Sequence, residues 1–140
     1  MTDMIVLAVV VPILGAILSL LSGLWFDRSG WAVAAVTTLV QLLVGLAVLA
    51  AVLREGRQTT ELGGFQPPAG IELVADGLSA PVVVLVAATS LAVVVYARRA
   101  GPRGNAFYTT YLLLAGGLAG VTLTGDVFNL FVFFEILLIA

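Results

Sequence analysis

Glu135 is the residue that most needs a chemical explanation. It is the one carboxylate in the apolar run from Val127 to Ala140. On a helix its neighbours at three- and four-residue spacing are Phe131, Val132, Leu138 and Ile139, none of which can pair with a charge. An ionisable group at membrane depth costs about 2.5 kcal/mol or more, and usually faces a bundle interior or a wet cavity. A carboxyl there can take up and release protons as its surroundings change, which a proton relay requires. The plain alternative is a protonated side chain donating to a backbone carbonyl or a threonine.

Asp126 follows Gly125 and opens the same run, with Asn129 three residues on. It reads either as a helix N-cap accepting backbone N–H groups or as an acid that takes up protons and hands them toward Glu135. Asp76 and Ser79 precede an earlier apolar run with Pro81 in its first turn, and both read as helix-cap residues. Thr37, Thr38, Gln41, Thr89 and Ser90 lie inside other apolar runs. Hydroxyls so placed commonly bond back to their own helix; the other reading is a water-lined path.

Five elements must carry these groups. Crossing the hydrocarbon core takes roughly 20 apolar residues as a helix. The pattern predicts spans over Met4–Phe26, Trp31–Leu53, Gly77–Tyr96 and Phe107–Thr124. A fifth starts near Val127 and is still apolar at Ala140; from Asp126 it covers only about 21 Å, short of a core about 30 Å thick, so this helix is expected to be truncated. Glu135 then sits about 13–14 Å into its helix, near the middle of the core. Between the second and third spans, Gly63-Gly64 and Pro67-Pro68 mark turns and Ile71-Glu72-Leu73 alternates like a strand, giving a short extended hairpin. The fold class expected is an all-α polytopic membrane protein.

Composition closes off other classes. Mean hydropathy is +1.19, and only 10% of the 140 residues are charged, against about 25% in soluble domains. A net charge of -2 gives no electrostatic case for nucleic acid. With no Cys and no His, disulfides, thiol chemistry and the usual zinc and haem ligands are absent, so no metal and no cofactor are expected. No nucleophile–base pair or phosphate-cradling glycine loop occurs, which argues against an enzyme. The Met1-Thr2-Asp3-Met4 start lacks the positive region of a signal peptide, so the first run is expected to stay as a span.

All six basic residues are Arg. Arg28, Arg98, Arg99 and Arg103 fall in the first and third connections; the second holds Arg54 and Arg57 among Glu55, Glu61 and Glu72. Positive-inside logic puts the four-arginine side in the cytoplasm and the N-terminus outside. Small residues let membrane helices approach closely. Gly15, Ser19 and Gly23 line one face of the first span, and Gly116 and Gly120 do so on the fourth. Aromatic residues of the fifth span are expected on the glycine groove of the fourth; ordinary membrane-helix composition is the alternative.

The run Gly125-Asp126-Val127-Phe128-Asn129-Leu130-Phe131-Val132-Phe133-Phe134-Glu135-Ile136-Leu137-Leu138-Ile139-Ala140 resembles the fifth-helix motif of the D subunit of Mrp-type multisubunit Na+/H+ antiporters. That family is similar to the antiporter-like subunits of respiratory NADH:quinone oxidoreductase. Gly70-Ile71-Glu72-Leu73-Val74-Ala75-Asp76-Gly77-Leu78-Ser79-Ala80 and Phe107-Tyr108 also stand in family order, and the resemblance covers essentially the whole chain. It implies about fourteen helices in a full-length member, with two inverted five-helix repeats and a charged line along the membrane middle. On this resemblance residues 1–106 are peripheral helices 1–3 with their loops, and 107–140 are helices 4–5 at the start of the first repeat. Glu135 matches a glutamate that pairs with a seventh-helix lysine on a piece this chain lacks.

The resemblance implies a part of a cation/proton antiporter subunit in a prokaryotic cytoplasmic membrane, with Glu135 coupling proton translocation to Na+ export. Partners implied are the remainder of the D-subunit bundle, other membrane subunits of the complex, protons and monovalent cations, and the lipid bilayer. Two alternatives stand beside it: a non-transporting assembly subunit or truncated remnant, and an antiporter-like component of a proton-pumping NADH:quinone oxidoreductase.

Overall fold

A computed structural model describes residues 2–26, 28–62, 70–102 and 104–140. The predicted turns at Gly63-Gly64 and Pro67-Pro68, and the predicted loop residue Arg103, lie outside them. Five helices and two strands follow in the order α1 (Thr2–Ser22), α2 (Gly30–Glu55), β1 (Gln58–Leu62), β2 (Ile71–Ala75), α3 (Ser79–Ala100), α4 (Asn105–Leu123) and α5 (Val127–Ile139). α1 to α4 are long and apolar enough to cross a membrane. α5, with 13 residues, extends about 20 Å. The chain is a multi-pass membrane protein.

α1 packs chiefly on α4 and α2, α2 on α3, and α4 on α5. Small side chains make up much of the interior. Ala8, Ala34, Ala80, Ala87 and Ala119 are fully buried, which fits association in lipid, where close backbone approach and van der Waals packing drive contact. Thr38 is also fully buried, and its hydroxyl donates to the Ala34 carbonyl one turn back at 2.8 Å. Gln41 is fully buried with neither end of its amide bonded among the described residues.

The two ends of the bundle differ. At one end β1 and β2 pair antiparallel, Gln58 opposite Ala75 and Leu62 opposite Ile71. Leu73 and Ala75 point into the core with Ile5, Val52 and Leu123. α2 stops there at Gly56, whose φ of 80° belongs to the left-handed region. At the other end Asn105, the first residue of α4, accepts from the Gly30 N–H at 3.0 Å and donates to Ser29 Oγ at 3.4 Å, tying α4 to the α1–α2 turn.

The helix ends fall within two residues of the predicted spans except at two boundaries, both at this second end, which move by four. Gly23–Phe26 leave the α-helix for a tight turn, with Asn105 packed in the space beside Gly23. α3 instead runs on through Arg98 and Arg99. Its last turn is held by Trp31 of α2, whose Nε1 donates to the Val94 carbonyl at 3.1 Å while the Arg98 guanidinium lies 4.0 Å from the centre of its ring.

Candidate functional site

α5 begins at a junction of three elements. Asp126 Oδ1 accepts from the Asn129 N–H at 2.7 Å, and its other oxygen from the Glu72 N–H of β2 at 3.4 Å. The Gly125 N–H donates back to the Glu72 carbonyl at 2.8 Å, and Leu73 bridges to Thr124. The Thr124 hydroxyl donates to the Asp126 carbonyl at 3.2 Å. A Cβ at Gly125 would come within 2.7 Å of Val74, so this close approach requires glycine. One carboxylate therefore caps α5 and also holds it to the hairpin.

α4 fixes the rotation of α5. The bare backbone at Gly120 receives the Phe133 ring, and that at Gly117 receives Leu137. Phe133 and Leu137 therefore form the stripe against α4, and Asn129 and Phe133 are buried. Asn129 Nδ2 has no partner among the described residues and borders a cavity of about 210 Å³ with Val6, Ile13 and Leu73. Glu135 lies two residues from both Phe133 and Leu137, which on a helix of 3.6 residues per turn places it across the axis from that stripe. It is exposed, with no bonded partner among the described residues, on a face shared with Phe128, Phe131 and Leu138. Asp126 and Glu135 are thus on one helix but about 13–14 Å apart, and nothing in the described structure links them.

The small residues named from sequence are divided among several neighbours. Gly15 admits the Thr37 side chain of α2, and Gly23 admits Asn105. Ser19 is fully buried, its oxygen unpartnered among the described residues. Gly116 and Gly120 do not share a partner: Gly116 faces Ile13 and Pro12 of α1, whereas Gly120 faces α5. At the start of α3, Asp76 Oδ1 accepts from the N–H groups of Leu78 at 2.9 Å and Ser79 at 2.8 Å, while Ser79 Oγ accepts from the Asp76 N–H at 2.8 Å. The Ser79 and Leu78 N–H groups favour the ionised form and hold the Asp76 carboxyl below its ordinary 3.8. Sequence reasoning missed Asn105, treated as loop, and Glu72, whose backbone supplies the junction. Only the polar residue next to a helix start could have signalled the first.

Comparison with known proteins gives this arrangement a family. No protein-family model matches the chain. The D subunit of the Na+/H+ antiporter of Alkalihalophilus pseudofirmus is 35% identical over 147 aligned positions, covering all of this chain and 29% of that protein. A chain in the solved Mrp complex of Dietzia sp. superposes with a TM-score of 0.85 at 28% identity, over 99% of this chain and 26% of that one. The chain belongs to the D-subunit family of Mrp-type antiporters. It spans less than a third of the length of these relatives. The wider kinship extends to the N subunit of the NADH-quinone oxidoreductase of Desulforudis audaxviator, 46% identical over 80 residues, or 54% of this chain and 16% of that protein. In this family setting the hairpin, the α4–α5 junction and the outward face of α5 are parts of an antiporter-like membrane subunit.

Proposed function

We propose that this chain supplies part of the membrane bundle of a cation/proton antiporter subunit, in which Glu135 carries protons at the middle of the membrane. The observation that carries the reading is the direction of Glu135. It points away from α4 and out of the five described helices, on a bare apolar face. An acid on that face is costly in lipid and acceptable against further protein that brings a cation or water. The relatives contain more than twice as much chain again, and that remainder is the partner proposed for this face. Proton movement through Glu135 is coupled to Na+ export, with other antiporter subunits assembled around the bundle. Residues 107–140 form the start of an inverted repeat, and residues 1–106 the periphery. Asp126 serves α5 as cap and hairpin anchor, with proton uptake as its second role. The end bearing Arg28, Arg98 and Arg99 faces the cytoplasm of a prokaryotic cell, leaving the N-terminus outside.

The test is transport in everted vesicles carrying the assembled complex. Glu135→Gln is expected to abolish the dissipation of a proton gradient on addition of Na+, with assembly unchanged. Retained transport would remove Glu135 from the mechanism. The identity with the N subunit of NADH-quinone oxidoreductase favours a second reading, membership in a proton-pumping quinone reductase. Co-purifying proteins separate the two: iron–sulfur subunits select the reductase, and small antiporter subunits the antiporter.

A further inference from the structure

The arginine-bearing end carries two cavities that meet at Trp31 and Arg98. The smaller, about 300 Å³, is lined by Arg28, Trp31, Arg98 and Tyr108. The larger, about 940 Å³, runs along α2 and α3 past Leu42, Ala88, Leu91 and Val95, and opens beside Tyr96 and Arg99. We propose that the pair forms a binding site for one anionic phospholipid, its phosphate among Arg28, Arg98 and Arg99 and an acyl chain along the α2–α3 groove.

Three observations favour this occupant. First, the arginines are unneutralised: among the described residues Arg28, Arg98 and Arg99 make no ion pair. Arg98 is positioned by the Trp31 ring, which engages the guanidinium face and leaves its N–H edge available to phosphate oxygens. Second, the groove has the length of one leaflet. Ala88 to Arg98 spans about 15 Å along α3, half of a hydrocarbon core about 30 Å thick. Third, Trp31 and Tyr96 stand at the mouth beside the arginines, the arrangement of side chains at a membrane–water boundary. Basic pockets between helices at this level suit anionic headgroups, whereas a zwitterionic lipid brings its own cation.

The test uses the chain in lipid nanodiscs with Trp25→Phe, so that Trp31 is the sole remaining tryptophan. Acyl-brominated phosphatidylglycerol is expected to half-quench Trp31 at about fivefold lower mole fraction than brominated phosphatidylcholine, the advantage of one arginine near an anionic headgroup, and more if several engage. Arg99→Gln, a change at an exposed side chain, is expected to shrink that preference, and Arg99→Lys to retain it. Ala88→Leu is expected to reduce quenching by filling the groove while circular dichroism holds its helical signal. Equal quenching by the two lipids, or a preference indifferent to Arg99→Gln, would overturn the proposal and leave the groove to a protein helix.

Discussion

Along α5, Phe133 and Leu137 press into α4, while Phe128, Phe131, Glu135 and Leu138 face away from it. The packed face is governed by shape: Gly120 and Gly117 have no Cβ, and an aromatic ring and a leucine fill the spaces left. The open face has no such constraint and holds the helix's only ionisable side chain. Packing on one side therefore settles where the carboxylate on the other side points. A glycine on α4 is part of the reason that a glutamate on α5 looks outward.

That division can be broken from either side. The largest effect expected is from Glu135→Gln, which should reduce transport by the assembled complex to background, while the five helices by themselves, where the side chain is exposed, should shift in stability by less than about 0.5 kcal/mol. Vesicle transport and detergent unfolding, measured together, would check it. On the packed face the outcome should invert. Phe133→Ala should cost about 3–5 kcal/mol and Gly120→Val about 1–3 kcal/mol in the same unfolding measurement. The double variant should cost less than their sum, because removing the ring makes room for the new side chain.

Smaller effects lie at the junctions. Asp126→Ala should lower stability by about 1 kcal/mol, with faster amide exchange at Asn129 and Glu72, the two N–H groups that its carboxylate holds. The least effect is expected at Asp76. Its folded carboxyl lies below 3.8, so its contribution is present above that value and lost as pH falls through the lower folded one. Amide exchange at Leu78 and Ser79 should accelerate on acidification in this range. With Asp76→Asn the same amides should be insensitive to pH there, once corrected for intrinsic exchange.

Five apolar runs, a hairpin between the second and third helices, and one acid in the last run were legible in the sequence because each is a local pattern. The spacing of Gly116 and Gly120 announced a surface for close approach but not its neighbours. Successive turns of α4 lie at a three-way contact, and the partners, Ile13 and Phe133, come from opposite ends of the chain. The end of α3 was misplaced for a similar reason. Arg98 and Arg99 look like a loop after an apolar run, and only Trp31, far away in sequence, makes their turn worth keeping helical. The direction of Glu135 needed the α4–α5 contact as well, since all the residues around it in the chain are apolar.

The hydrogen bonds between β2 and residues 125–126 set the register of α5. Advancing a helix by one residue raises every side chain about 1.5 Å and swings it through about 100°. Glu135, nine positions downstream of that anchor, would be re-aimed sideways more than it was lifted. The hairpin thus serves as an indexing stop: a short piece of strand at the rim determines the compass bearing of a carboxylate deep along the barrel of the helix.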